Sequence, residues 1–530
     1  MKKQLITLVA TILIVFSTSF SFAQDASKAT FLQENPQAIQ TSITGAEVDC
    51  QSNKAGIYAC NNVNLTAFLS VSDMAGVLNT GSGEANDIWG WTDPDTGFEY
   101  ALLGMDNGTM FIDLSSPEVP RVVGFLPTKT RASLWRDVKV YKNHAFIVAD
   151  NAGNHGVQVF DLTGLRNLNT PVMLQETTNY AGIGSAHNIV INEDTGFAYA
   201  VGSNSSGNTC GGALHMINIQ DPANPVFAGC FSDTDTGFAS TGYTHDAQCV
   251  VYNGPDTEHQ GKEICLGSNE SHISISDVSD KNNPVALSKA TYPKSRYIHQ
   301  GWLSEDHRYF YQDDEGDESA FSAETRTIIW DLEDLDDPVF LGDFFSGVQS
   351  IDHNMYVHGQ YLYQANYTSG LRIWDVADPA NPKFAGFFDT YTRSDGGSFA
   401  GAWSNYPYFD SGLVIVSSIG EGLFVLNPKL SNATAIETQD LPQALTLSPP
   451  FPNPARDAVM LDVATLESGL VHVEIVNLTG QVVSSLQKHV ATSDAATRIE
   501  LDASSLSNGS YIVRVKSERG MKAYPLTILK

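Results

Sequence analysis

The stretch INIQDPANPVFAGCF, residues 217–231, returns as WDVADPANPKFAGFF at 374–388. Asn218 and Asp375 hold the same place in the two copies, 157 residues apart. Weaker copies of the same pattern are FIDLSSPEVPRVVGF (111–125), VFDLTGLRNLNTPVML (159–174), ISDVSDKNNPVAL (275–287) and IWDLEDLDDPVFLGDF (329–344), and LFVLNP (423–428) is a truncated one. The anchoring residues Asp113, Asp161, Asn218, Asp277, Asp331, Asp375 and Asn427 are spaced 44 to 59 residues apart, which makes seven units. Self-similarity at such a period marks solenoids and propellers.

Each unit reads as four short strands. In the sixth they are NMYVHG, QYLYQAN, SGLRIWDV and PKFAGFF. Apolar residues alternate, β-branched and aromatic residues are enriched, and Gly, Asn, Asp and Pro fall between the runs, which is the pattern of antiparallel strands. The Asp-Pro-Ala-Asn-Pro turn is nearly pre-formed, because proline presets φ while Asp and Asn side chains bond nearby backbone. Repeated four-stranded units fit a β-propeller, since open β-solenoids have shorter repeats. The seventh unit supplies only YPYFD, GLVIVSS and GLFVLNP. Its fourth strand is expected from NVNLTAFLSV (62–71), ahead of the first unit. The expected fold is therefore all-β: a seven-bladed β-propeller over 62–428, closed by an N-terminal strand that hides both sheet edges.

The two ends carry different information. MKKQLITLVATILIVFSTSFSFAQDA opens with Lys2 and Lys3, an apolar run, and the small-x-small site Ser21-Phe22-Ala23. This predicts a secretory signal peptide over 1–23, followed by an N-terminal extension over 24–61. No later run is long and apolar enough to span a bilayer, so no transmembrane segment is expected. Beyond Pro428 the composition turns polar, giving a linker over 429–445. Residues 446–530 then form short alternating strands with turns at Thr479-Gly480 and Asn508-Gly509, the pattern of a small C-terminal β-sandwich.

Sixty acidic against thirty basic residues give a net charge of −30. Such a surface repels nucleic-acid phosphates and anionic lipid, and it keeps an exported chain soluble. Six cysteines in an exported chain point to disulfides, with 15 possible connectivities. Pairing between sequence neighbours is favoured: Cys50 with Cys60, Cys210 with Cys230, and Cys249 with Cys265. The last pair has a physical reason, because AQCVVYN and KEICLGS read as adjacent antiparallel strands. A zinc site built on the cysteines is disfavoured by the lack of any C-x-x-C spacing.

Two resemblances extend this reading. The blade pattern, with GLVIVSS and HAFIVAD as variants of its signature strand, resembles the LVIVD-repeat propellers, and the span from about 60 to 428 resembles the choice-of-anchor B proteins of the Bacteroidetes group. That resemblance implies an exported propeller bearing a sorting or anchoring tail; it implies a shape and a place rather than a reaction. The C-terminal segment is similar to the sorting domain of the type IX secretion system, on Pro452-Asn453-Pro454, the Leu478-Thr479-Gly480-Gln481 turn, LSNGSYIVRV and a last strand ending in Lys530. It implies recognition by the type IX machinery at the outer membrane, removal of the tail, and release or attachment to surface lipopolysaccharide. The expected location is the cell surface or the extracellular space.

A second recurrence bears on chemistry. SAHNIVI, YTHDAQC, YIHQGWL and IDHNMYV place His187, His245, His299 and His353 at one position in four consecutive units. A polar residue follows each: Asn188, Asp246, Gln300 and Asn354. The second unit has Arg136-Asp137 there and the first Asn86-Asp87. First strands of a propeller are innermost, so these positions converge on one mouth. Loops carrying Asp106, Asp150, Glu270 and the run Asp313, Asp314, Glu315, Asp317 open on the same face. Such a set could hold a divalent metal ion, with Asp246 or Asp313 as base for hydrolysis. The competing reading makes the histidines architectural, each bonding the neighbouring blade, and the 313–318 run a solvated loop. Trp89, Trp91, Trp135, Trp302 and Trp403 lie near first strands, where they pack between blades or stack on a sugar ring. No nucleophile elbow, Walker loop or dinucleotide fingerprint is present. The function expected is a binding scaffold for an unknown extracellular ligand, with a metal-dependent hydrolase as the alternative.

Overall fold

The computed structural model describes residues 41–530 apart from 82, 431–444, 449, 466–468, 478–481, 491–496 and 518–519. The expected signal peptide, most of the linker and the turn at 478–481 lie outside the described residues. No described helix is long and apolar enough to cross a membrane. The chain divides into two compact units, Met1–Leu430 and Ser431–Lys530.

Within the first unit, seven sheets of four or more strands follow one another among the described residues, antiparallel apart from one short edge pair. Their first strands are Ala85–Thr92, Arg136–Tyr141, Asn188–Asn192, Asp246–Val251, Ile298–Leu303, Met355–His358 and Ala402–Tyr406. In each sheet the start of the first strand pairs with the end of the second, as in Arg136 opposite Ala149 and Asp246 opposite Ser268. The repeat anchors sit at the ends of third strands and pin the next turn. Asp375 and Asp277, for example, accept from the backbone N–H two residues on.

Apolar residues from adjacent sheets meet in separate clusters. Ile147, Val138 and Phe160 of the second sheet pack on Leu102 and Phe111 of the first. Phe310 and Ile328 of the fifth pack on Ile264 and Ile275 of the fourth. Another cluster joins Ile415 and Val425 of the seventh sheet to Leu103 and Ile112 of the first. The seventh sheet takes its fourth strand from the front of the chain. Val63–Ser70 runs antiparallel to Gly422–Pro428, with Asn64 opposite Asn427 and Phe68 opposite Phe424. Their rings lie 4.6 Å apart, and Tyr58 closes on Phe424 at 5.3 Å. The residues before this strand are tied in as well: Tyr58–Asn61 pairs with Lys383–Phe388, and Cys50 is bonded to Cys60.

The other two disulfides are Cys210–Cys230 and Cys249–Cys265. Cys249 and Cys265 are direct partners in the ladder, which is the arrangement the strand pattern predicts. One strand is displaced from its expected place. Val172–Met173 of the second repeat pairs in parallel with Arg121–Pro127 of the first sheet, while Thr178–Tyr180 supplies the second sheet's fourth strand. The cause is the longer connection LTGLRNLNT. Its 3₁₀ turn Leu162–Leu165 buries Leu162 and Leu165, and this carries the following strand across to the neighbouring sheet.

The second unit has a three-stranded sheet (Leu445–Leu447, Ala458–Thr465, Thr497–Asp502) and a four-stranded one (Val482–Val490, Gly469–Asn477, Gly509–Ser517, Gly520–Ile528). Val459, Leu461 and Ile499 of the first meet Val473, Ile475 and Val513 of the second in one apolar layer.

Phe68 is fully buried where the front and back of the first unit meet. Phe68→Ala is expected to cost about 3–5 kcal/mol in chemical denaturation of the full chain. Val119→Ala, at an exposed loop position, should stay within about 0.5 kcal/mol.

Candidate functional site

The first strands have two ends, and the sequence equips them differently. At the starting end, His187, His245, His299 and His353 come together as a column with successive ring centroids 4.3 Å apart. Every Nδ1 has a partner. His245 Nδ1 bonds the His299 carbonyl at 3.1 Å, and His353 Nδ1 bonds the Trp403 carbonyl at 2.6 Å. A carbonyl only accepts, so these nitrogens carry the proton and Nε2 keeps the lone pair. His187 Nδ1 lies 3.0 Å from Asp150 Oδ2, and His299 Nδ1 lies 3.2 Å from Asp313 Oδ2. Burial first, then the neighbouring imidazoles, holds His245 well below the usual histidine range. The cleft between the rings, with Trp135, Arg136, Asn188, Asn354 and Trp403 around it, has a volume of about 10 Å³. That is the lower limit for one water molecule.

The residues that follow the histidines stitch neighbouring sheets together. Asn188 Nδ2 donates to the His245 carbonyl (2.9 Å), and Gln300 exchanges two bonds with Met355, N–H and carbonyl, at 3.0 Å each. Asp137 Oδ2 accepts from Ile189 N–H at 2.6 Å, and Asn354 Nδ2 donates to Ser404 Oγ at 3.2 Å. Lys139 bridges Asp87 and Asp137. Asp246, half-buried beside this layer, has its carboxyl pushed up to about 6 by burial.

The acidic run departs from the solvated loop expected of it. Asp313, Asp314, Glu315, Asp317 and Glu318 are all buried. Tyr292 Oη and the Arg296 and Tyr297 N–H groups donate to Asp314, Arg326 pairs with Asp317 at 2.7 Å, and Tyr367 Oη donates to Glu315 at 2.6 Å. Asp313 also accepts from Gln300 N–H. The run folds inward because it ends an inner strand and turns into the short helix Asp317–Phe321 against the following sheet. Charge alone could not reveal this.

The far ends of the same strands enclose a chamber of about 480 Å³. Trp89, Lys139, Val190, Gln248, Trp302, Tyr356 and Tyr406 line it, each three residues after the position that faces the starting end in its own strand. Register shifts between Ala85 and Ile88 and between Ile298 and Gly301 turn Trp89 and Trp302 into this space. Tyr408, Gln300, Glu193, Glu305 and Asp246 are also part of the wall. Trp302 meets Tyr356 edge-on at 4.9 Å, Trp89 meets Tyr406 at 5.1 Å, and Lys139 Nζ sits 4.7 Å over the Trp89 ring. Of the sequence-selected groups, Asp246 faces the chamber, while Asp313 belongs to the histidine end. The lining tyrosines escaped the sequence reading, although the three-residue offset from the histidine register could have found them.

Residues 450–527 match the secretion-system C-terminal sorting domain family, so the tail is a sorting domain of the type IX kind, and it implies export to the surface or beyond. Comparison with curated protein sequences gives no match. Among solved structures the chain is similar to a protein from Lactobacillus plantarum, at 13% identity and TM-score 0.43, over 79% of this chain and 99% of that one. It is also similar to the extracellular domain of a one-component system from B. thetaiotaomicron (12%, TM-score 0.41, 87% and 58%) and to the C-terminal WD40 domain of Sif2 (11%, TM-score 0.40, 74% and 97%).

On the face of the starting end, burial and the nearby Asp106 push the Glu84 carboxyl up to about 7. The folded state therefore holds this proton more tightly than the unfolded chain. The stability it contributes is complete below about pH 4.5 and is lost as pH rises through 7. Glu84→Gln should raise stability at pH 8 by about 1–2 kcal/mol, after allowance for its partial exposure, and leave it unchanged at pH 4.5, as read from urea midpoints.

Proposed function

We propose that the first unit is a seven-bladed β-propeller of the LVIVD, choice-of-anchor B kind, closed by the 63–70 strand. In this reading it is an exported binding module that takes its ligand in the chamber at the far end of the channel. One observation carries the proposal: the same register position of all seven first strands lines a single cavity. Only a radial arrangement brings seven equivalent residues to one space. The apolar cluster between the seventh and first sheets and the pairing of Val63–Ser70 with Gly422–Pro428 support the closure.

The chamber has the size of a small-molecule site. Its chemistry favours a sugar residue of a surface or environmental glycan. The partly exposed indoles of Trp89 and Trp302 offer ring faces, and Gln248, Glu193 and Glu305 offer hydroxyl partners. Lys139 is held by two carboxylates and covers one Trp89 face, so it offers little to an anion. The sorting tail delivers this module through the type IX machinery, followed by release or by attachment to lipopolysaccharide. The N-terminal signal peptide starts the route.

Two experiments test the reading. On a glycan array, the full chain should bind a defined sugar class; Trp302→Ala should weaken that binding at least tenfold while far-UV circular dichroism stays unchanged. Binding that survives Trp302→Ala and Trp89→Ala would place the ligand elsewhere. A chain lacking 446–530 should accumulate in the periplasm, and its appearance at the cell surface in normal amount would remove the role given to the tail.

A further inference from the structure

We infer that the histidine end holds one divalent transition metal of the zinc class, on His299, His353 and Glu315. These three come from two neighbouring sheets. His299 lies on the first strand of the fifth sheet, Glu315 just past the end of its second strand, and His353 just ahead of the first strand of the sixth. All three are buried, and one ligand atom from each lies within 4.8 Å of the other two. His353 Nε2 is 3.7 Å from Glu315 Oε1. Two imidazoles and one carboxylate form a donor set used by zinc sites that keep an open position.

The surroundings fit a metal as well as the ligands do. Metal-bound histidines characteristically donate their other ring N–H to a carbonyl or carboxylate, which orients the ring and raises its basicity. His353 does so to the Trp403 carbonyl, and His299 has Asp313 in that place. Tyr367 Oη donates to Glu315 and fixes its carboxylate.

A second, independent observation also calls for a cation. Asp352, next to His353 and fully buried, has no hydrogen-bond partner on either carboxylate oxygen. Glu318, also buried at 4% exposure, lies beside Asp317 in the same acidic cluster. A buried carboxylate without donors either takes up a proton or is stabilised by a positive charge close by. Arg326 is committed to Asp317, and no ion pair joins a lysine or arginine to Asp352 or Glu318 among the described residues. A divalent ion beside Glu315 supplies the missing charge and fastens the fifth sheet to the sixth. This assignment departs from a site made of all four histidines. It adds Glu315 and leaves His187 on Asp150 and His245 on the His299 carbonyl.

The test uses the full chain, stripped with a chelator and titrated with zinc chloride by calorimetry, with thermal melts in parallel. One zinc per chain is expected, together with a melting temperature raised by several degrees and returned by chelator. Changes to the outer partners of metal ligands cost about 10- to 100-fold in affinity, so loss of a ligand itself in His299→Ala or His353→Ala should weaken zinc binding by about 100-fold or more, and Glu315→Gln by at least about 10-fold. Among the described residues, the other grouping of comparable geometry is Asp256, His259 and Asp336, which is partly exposed. Zinc binding lost in His259→Ala but kept in His299→Ala overturns the assignment. Absence of both binding heat and melting shift with zinc, manganese and calcium overturns it too. Should the histidine variants fail to fold, Glu315→Gln and the zinc-dependent melt of the unaltered chain decide between the same two outcomes.

Discussion

The first unit depends on one recurring interaction: side chains at the starts of its inner strands reach across and bond a neighbouring sheet. Asp137 takes the N–H of Ile189, Asn188 gives to the carbonyl of His245, His245 to that of His299, and His353 to that of Trp403. Apolar packing between sheets is strong but undirected, and it would tolerate sliding. These buried bonds are directional, and leaving one unmade exposes a donor or acceptor to a dry interior, at about 1–3 kcal/mol each. They set the angle and height at which each sheet meets its neighbour, and so they set which residues share a space.

From that constraint follow two unlike ends of one set of strands. At the starting end the stitching residues crowd together, so histidines and carboxylates are close, dry and nearly without room. Three residues further on the strands carry larger, mostly aromatic groups: Gln248 still takes the N–H of Leu303 and Lys139 reaches Asp87, while the rings of Trp89, Trp302, Tyr356 and Tyr406 meet one another edge to face. They stand around a cavity large enough for a ligand. The chemistry of the two ends differs accordingly: charge and imidazole at one, ring faces and amides at the other. Lys139, locked between Asp87 and Asp137, is the floor between them.

Much of this was legible in the chain. The Asp-Pro-Ala-Asn-Pro turn marked the reversal between third and fourth strands, because proline and Asx residues act locally, and apolar alternation gave the strands themselves. The Cys249–Cys265 pairing followed from strand alternation, since ladder partners must face one another. The alignment of the copies placed the four histidines at one register; their partners came only with the fold, which sets His245 and His353 on carbonyls of the next sheet and His299 on Asp313 of its own. Other features were out of reach. The run from Asp313 to Glu318 reads as solvated by composition, yet it is buried, because it turns off an inner strand against the next sheet. The swap of Val172–Met173 into the first sheet depends on how one long connection packs, which no repeat pattern records.

The sequence alone determined the local grammar of this protein: strand, turn and strand again, a disulfide framework, a tail of separate composition, and one register shared by four histidines. These properties depend on neighbours a few residues away or on copies that can be aligned. Only the tertiary structure decided which copies touch. It selected His299, His353 and Glu315 from a longer list of donors, and it opened the chamber at the end of the strands opposite the histidines. The physical reason is that burial and convergence belong to sheets packed against sheets, at separations of fifty residues or more, where periodicity carries no information.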